Sequence, residues 1–222
     1  MNPVIRQLAS KELYVHRWTV GSGALAGVLS LFVAAHGRIG FNIGILAWLT
    51  AVVAAGAILV MHGVFTERKE NGLLFVLGLP IDPAGYVRSK LVGLGLAFLL
   101  CWAPTTGAVI ALVLIDPDIS DGLLPLAVLL SVYLLTNFVI LLSWVLAARS
   151  EALATAGVII TNMSVSVFIF TVFAIPGIGE GFETPHPDWS PAFWAVLGAE
   201  LAVAALAILS LLLLAARRRD LV

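Results

Sequence analysis

The chain has 222 residues, of which 61% are hydrophobic and 11% charged, and its 12 basic and 13 acidic residues leave a net charge of −1. Such proportions exclude a soluble globular body and predict an all-α membrane protein, with a single transmembrane domain over residues 1–222. Cys101 is the single cysteine, which excludes an intrachain disulfide and a thiolate metal framework. The near-zero net charge carries no information about polyanions, and no nucleic-acid partner is expected.

The first segment, Asn2 to Arg17, reads as an amphipathic helix on the membrane surface (residues 1–17). Asn2 can cap it, and Pro3 takes the first helical position, where a missing N–H costs nothing. Ile5, Leu8, Ala9 and Leu13 fall on one face, while Arg6, Lys11 and Glu12 are expected to point elsewhere. A solvated basic leader is the alternative.

Six apolar stretches follow, each near the roughly 20 residues that a helix needs to cross the hydrocarbon. They run from Trp18 to His36, Phe41 to Phe65, Tyr86 to Ile115, Leu123 to Ala147, Ala152 to Ile175 and Ala192 to Ala216. The apolar run after Trp18 is too long for a cleaved leader, so it is expected to remain as the first span.

Charge orients these spans. Arg6, Lys11, Arg17, Arg68, Lys69, Arg88, Lys90, Arg149, Arg217, Arg218 and Arg219 fall on one side and Arg38 alone on the other, so both termini are expected to be cytoplasmic. The opposite loops hold Asp116, Asp118 and Asp121, then Glu180, Glu183 and Asp188. Trp18, Tyr86 and Trp144 at one level, with Trp189 and Trp194 at the other, suit the two headgroup regions. Three lysines against nine arginines point to a GC-rich bacterial source, and hence to a bacterial cytoplasmic (inner) membrane.

Between the second and third spans lies a charged, helix-punctuated island, Thr66 to Lys90. Glu67 to Leu79 can form a short helix that Leu79-Pro80 breaks, because proline disfavours helix in the residue before it. Asp82 can cap a new helix with Pro83 in its first turn, and this helix is expected to continue into the third span. The product is an elbow over residues 66–85. Leu73 to Leu77 are too few to span a bilayer and too apolar for a free loop, so they are expected to be buried against lipid, other helices or a partner.

With these features the chain resembles the membrane subunits of type-2 ATP-binding-cassette (ABC) exporters. That family typically carries an amphipathic N-terminal helix with a Lys-Glu-Leu-like core, six spans, and an acidic-basic stretch before Gly, a Leu-rich turn, Leu-Pro and a downstream Lys. The matching residues here are Lys11-Glu12-Leu13, Glu67-Arg68, Glu70-Asn71-Gly72, Leu79-Pro80 and Lys90. Asp82-Pro83 stands where many relatives place a basic residue. The Gly- and Pro-rich segment at 176–191 corresponds to a short re-entrant element of the family.

The resemblance implies a permease that pairs with a separate ATP-binding-cassette ATPase. Coupling would run through Glu67, Arg68, Glu70, Gly72, Leu77, Leu79 and Pro80. ATP and magnesium would reside on the partner subunit, since no G-x-x-x-x-G-K-[ST] run occurs here. This chain would bind no cofactor and catalyse nothing by itself. Six spans are few for a pathway, so a homodimer or a pair with a similar permease in the bilayer is implied.

The family's central path is lined by its second and fifth spans. On that basis Trp48, Thr50, Asn162 and Ser166 are pathway candidates, and Glu200 joins them as the one acidic residue well inside a span. The fifth span carries Thr155, Asn162 and Ser166 on one stripe and Thr161, Ser164 and Thr171 on another, and the fourth carries Tyr133, Thr136 and Asn137. Interhelical hydrogen bonding explains such groups equally well. Glu200 lies about 12 Å along the sixth span and is either a gating or proton-coupling group or a structural carboxyl. Gly23 and Gly27, with Gly40 and Gly44, have the spacing of close helix approach, and Pro104 with Gly107 is expected to kink the third span. His36 and His62 read as interfacial side chains.

Apolar walls with scattered hydroxyls and amides suit a lipid-like, drug-like or peptide cargo. An ion-coupled secondary transporter or channel using Glu200 is the main alternative. Two intramembrane enzymes fit poorly. Asp121-Gly122 is followed by Leu123-Leu124 rather than the Ala-Arg of head-group transferases, and Val20-Gly21-Ser22-Gly23 lacks the first glycine of a rhomboid-type serine site.

Overall fold

A computed structural model of the chain describes residues 3–66 and 83–217, and every regular element among them is helical. The first helix, α1 (Pro3–Val15), begins at its proline as expected. The long helices are α2 (Arg17–Ala34), α3 (Gly37–Val60), α4 (Pro83–Ile115), α5 (Leu124–Ala147), α6 (Glu151–Phe173) and α7 (Pro191–Arg217). The helices α2 to α7 provide six segments long and apolar enough to cross a membrane. The fold therefore defines an all-helical membrane protein.

The ends of these helices follow local chemistry. Gly37 has φ +76°, a left-handed conformation that lets the chain reverse between α2 and α3 within two residues. Pro83 opens α4, where its fixed φ suits the first helical turn, and α4 continues unbroken through Pro104. Ser150 caps α6 by accepting the Leu153 N–H at 3.3 Å. The last turn of α3 passes into a π-helical stretch, Met61–Thr66, so the second span ends in a wider turn than expected.

Helix α5 is the hub, with 61% of its spanning window buried, against 22% for α2 and α6 and 11% for α7. Phe98 of α4 and Phe138 of α5 stack at 4.0 Å between ring centres. Gly56 of α3 permits this, because a Cβ there would meet both rings at 3.2 Å. Two levels of aromatic side chains mark the ends of the bundle. Arg17 lies over the Tyr14 ring at the end that carries α1, and Trp189, Phe193 and Trp194 cluster at the other. We call these the proximal and distal ends.

The glycine spacings do mark close packing. A Cβ on Gly27 would lie 2.5 Å from Thr105 Cγ2, and one on Gly44 would lie 2.5 Å from Ser30 O and overlap the backbone N of Ala34. At Gly21 a Cβ would meet nothing within 4 Å. Gly44→Ala is therefore expected to destabilise the protein by about 1–3 kcal/mol through overpacking, whereas Gly21→Ala should be neutral or slightly stabilising. Thermal melts of the two purified variants in one detergent check this contrast, and equal melting points would show that α2 and α3 yield without strain.

Candidate functional site

The strongest polar constellation sits at the proximal end, where α1 crosses the base of α4. Gly93 makes the crossing possible, since a Cβ there would lie 2.8 Å from Glu12 Cγ and 3.1 Å from the Cα of Ala9. The inward face of α1 is consequently Ala9 and Glu12, continued by His16 just before α2, all buried. This corrects the expectation that Glu12 points away from the packed face. The correction has a simple cause: on α1 Ile5, Leu8 and Leu13 only half-bury, and a carboxylate turns inward because a cation waits for it.

That cation is Lys90. Its Nζ donates to Glu12 Oε1 at 2.8 Å and to the backbone carbonyl of Gly63 at 2.6 Å. His16 Nε2 stands 3.5 Å from the other carboxylate oxygen, Glu12 Oε2. Gly63 belongs to the π stretch, Met61–Thr66, that follows α3. An ammonium there gives that carbonyl a charged donor, which makes a shorter and stronger hydrogen bond than a neutral one. Burial is the largest influence on the Glu12 carboxyl and by itself would raise its pKa. The hydrogen bond with His16, then the charge and hydrogen bond of Lys90, then the charge of Lys11, outweigh it and hold the carboxyl below its ordinary value of 4.5.

One ammonium group thus joins three elements: α1, the end of α3 and the start of α4. Thr66 and Pro83, which close those last two elements, are the residues on either side of 67–82. The seven expected coupling residues, Glu67, Arg68, Glu70, Gly72, Leu77, Leu79 and Pro80, lie outside the described residues.

The pathway candidates are not brought into one cavity. Trp48 is buried, and its Nε1 has no partner among the described residues. Thr50 is exposed and turns its hydroxyl back to the Leu46 carbonyl at 2.8 Å. Thr155, Asn162 and Ser166 lie exposed along the outer face of α6. The second stripe is divided. Ser164 accepts from the Tyr133 hydroxyl at 2.7 Å and stands 2.7 Å from the Thr161 carbonyl as donor, while Thr161 donates to the Gly157 carbonyl at 2.8 Å. The Tyr133–Ser164 bond joins α5 to α6, while the bonds of Ser164 and Thr161 to carbonyls turn back within α6. Glu200 is 6% exposed and packs where α7 meets α5, with its backbone carbonyl 3.4 Å from the Thr136 hydroxyl. Neither of its carboxylate oxygens has a hydrogen-bond partner among the described residues.

Sequence reasoning named Glu12 and Lys90 separately but did not join them. The available signal was a lysine about two turns inside the helix that begins at Pro83, together with Glu12 and His16 four residues apart at the end of the first segment. Among the described residues no group of three or more His, Cys, Asp or Glu side chains is arranged to hold a metal ion. The sequence matches no protein-family model and no curated protein.

Proposed function

We propose that this chain is the membrane subunit of an ATP-driven exporter of the type-2 ABC kind. It acts as a pair with a second copy or a similar permease, in a bacterial cytoplasmic membrane with both termini inside. A separate ATPase binds ATP and magnesium and docks on the 67–82 segment. The observation that carries this proposal is the Glu12–Lys90–Gly63 junction. A push delivered to a loop between two spans does useful work only if both ends of the loop are braced, and Lys90 ties the helix before the loop, the helix after it and α1 into one unit. The resemblance of Glu67-Arg68, Glu70-Asn71-Gly72 and Leu79-Pro80 to the family's coupling stretch supports the same assignment.

The test is co-purification from the native host in mild detergent, comparing the wild type with Glu70→Arg plus Leu77→Asp. An ATP-binding subunit is expected with the wild type and is expected to be lost from the double variant. Its absence from both preparations would sink the proposal.

One observation favours a second reading. A carboxylic acid buried inside a span without a hydrogen-bond partner is costly to maintain, and such groups commonly carry protons or ions. An ion-coupled transporter would use Glu200 in that way. Transport in vesicles that follows an imposed proton gradient, and persists when the elbow variant removes the ATPase, would select this reading.

A further inference from the structure

The outer face of α1 is a second built feature of the proximal end. Successive residues of a helix turn by about 100°, so Arg6, Gln7, Ser10, Lys11 and Tyr14 share one side of α1, about 140° wide, opposite Ala9 and Glu12. All of them are exposed. Glu12 is the one acidic residue between Pro3 and Trp18, and it is buried against Lys90. The outward face therefore keeps its positive charges and holds no carboxylate of its own.

This cationic face is joined to aromatic rings at the start of α2. Arg17 sets its guanidinium 4.3 Å from the centre of the Tyr14 ring and 5.7 Å from that of Trp18. The π faces hold the cation in place without neutralising it. Neither Arg6 nor Arg17 has a carboxylate within ion-pair distance among the described residues. Tyr14 and Trp18 are 66% and 77% exposed, so the group stands clear of the bundle.

Its depth follows from the length of α2. With 18 residues α2 rises about 27 Å, barely enough to cross a hydrocarbon layer of about 30 Å. Its first residues, Arg17 and Trp18, are thus held at the boundary with the headgroups, where a tryptophan ring is favoured. α1 lies on the flank of α4 rather than beneath it, because Glu12 packs on Gly93, about 15 Å along α4 from Pro83. The far side of α1 accordingly looks sideways, into the surrounding headgroups.

We propose that this face is a recognition surface for anionic phospholipids, whose phosphates pair with Arg6, Lys11 and Arg17 while Tyr14 and Trp18 sit among the headgroups. A zwitterionic lipid brings its own ammonium to the same place and gains much less. An acidic protein would meet the charges, but it has no use for two exposed rings at headgroup depth. Lipid binding needs no ATPase, so this inference stands or falls apart from the transport proposal.

The test is electron paramagnetic resonance of the purified full chain reconstituted in phosphatidylcholine, with trace phosphatidylglycerol or phosphatidylcholine carrying a nitroxide on its acyl chain. The motionally restricted fraction of each probe reads its relative association with the protein. Phosphatidylglycerol is expected to associate at least about threefold more strongly than phosphatidylcholine. Raising salt to about 1 M should bring the two close together, because screening then acts within about 3 Å. Arg6→Gln plus Arg17→Gln should remove at least half of the preference, whereas Arg149→Gln, at an exposed cation between α5 and α6, should change it little. The salt arm uses the wild type alone and does not depend on how the variants fold. Equal association of the two probes with the wild type, a preference untouched by salt, or a loss per charge as large from Arg149→Gln would each overturn the inference. A double variant that keeps the lipid preference but no longer co-purifies an ATP-binding subunit would overturn it too, and would make the face a protein-docking surface.

Discussion

Lys90→Met should lower the stability of the purified protein by about 3 kcal/mol, the low end of what is lost when one partner of a buried ion pair is removed. For a chain of this size that corresponds to a fall in melting temperature of roughly 6–12 °C. The reason lies in what remains. Glu12 stays buried against Gly93 with His16 beside it, and the Gly63 carbonyl loses a donor at 2.6 Å. Glu12→Gln plus Lys90→Met removes both charges and should recover part of the loss, so a double-mutant cycle should give a coupling of about 1–3 kcal/mol. Additive losses would show that the ammonium acts on the π turn alone and that α1 is not braced through Glu12.

The same junction predicts a pH dependence with a definite sign. The Glu12 carboxyl is held below 4.5 in the folded protein, so its contribution to stability is fully present above about 4.5 and is lost as pH falls through the lower folded value. In Lys90→Met the raising effect of burial is opposed only by the remaining partners, so the carboxyl moves up toward its unfolded value and the stability that it loses in acid becomes smaller. Melting temperature measured from pH 7 down to 3.5 should therefore fall more in the wild type than in the variant, whose starting stability is lower. Identical acid profiles would detach Lys90 from the Glu12 carboxylate.

The spans were legible because hydropathy over a 20-residue window is a local property. Trp18 to His36 became Arg17–Ala34, and Leu123 to Ala147 became Leu124–Ala147, differences that end-fraying explains. Close packing at Gly27 and Gly44 was also legible, since small residues four apart have one physical use in a membrane helix. The junction was not. Glu12 and Lys90 are 78 residues apart, and nothing local to α1 says that its polar residue turns inward. The π stretch at Met61–Thr66 was illegible for a related reason: the Gly63 carbonyl is stabilised by a lysine from another helix rather than by its own sequence. At the distal end the acidic residues were visible, but the way Ser120 and Gly122 meet Thr184 was not.

Glu200→Met should stabilise the protein by about 1–3 kcal/mol, the range expected when a buried polar group without a partner is replaced by an apolar group of similar shape. Both carboxylate oxygens lack a hydrogen-bond partner among the described residues, and the contact that α7 makes with α5 there uses the Glu200 backbone carbonyl, which any residue supplies. A rise in melting temperature of several degrees would mean that the acid is kept against its effect on stability, as groups retained for function often are. If the proposed ATP-driven transport holds, a transport assay with the ATPase recovered by co-purification would then locate that function. Loss of transport in both Glu200→Met and Glu200→Gln, in protein that is folded and still binds the ATPase, would show that the carboxyl itself is needed. A fall in melting temperature would point instead to a structural partner for Glu200, and the surface to search first would be α7, the least buried span, where a second copy of the chain could approach.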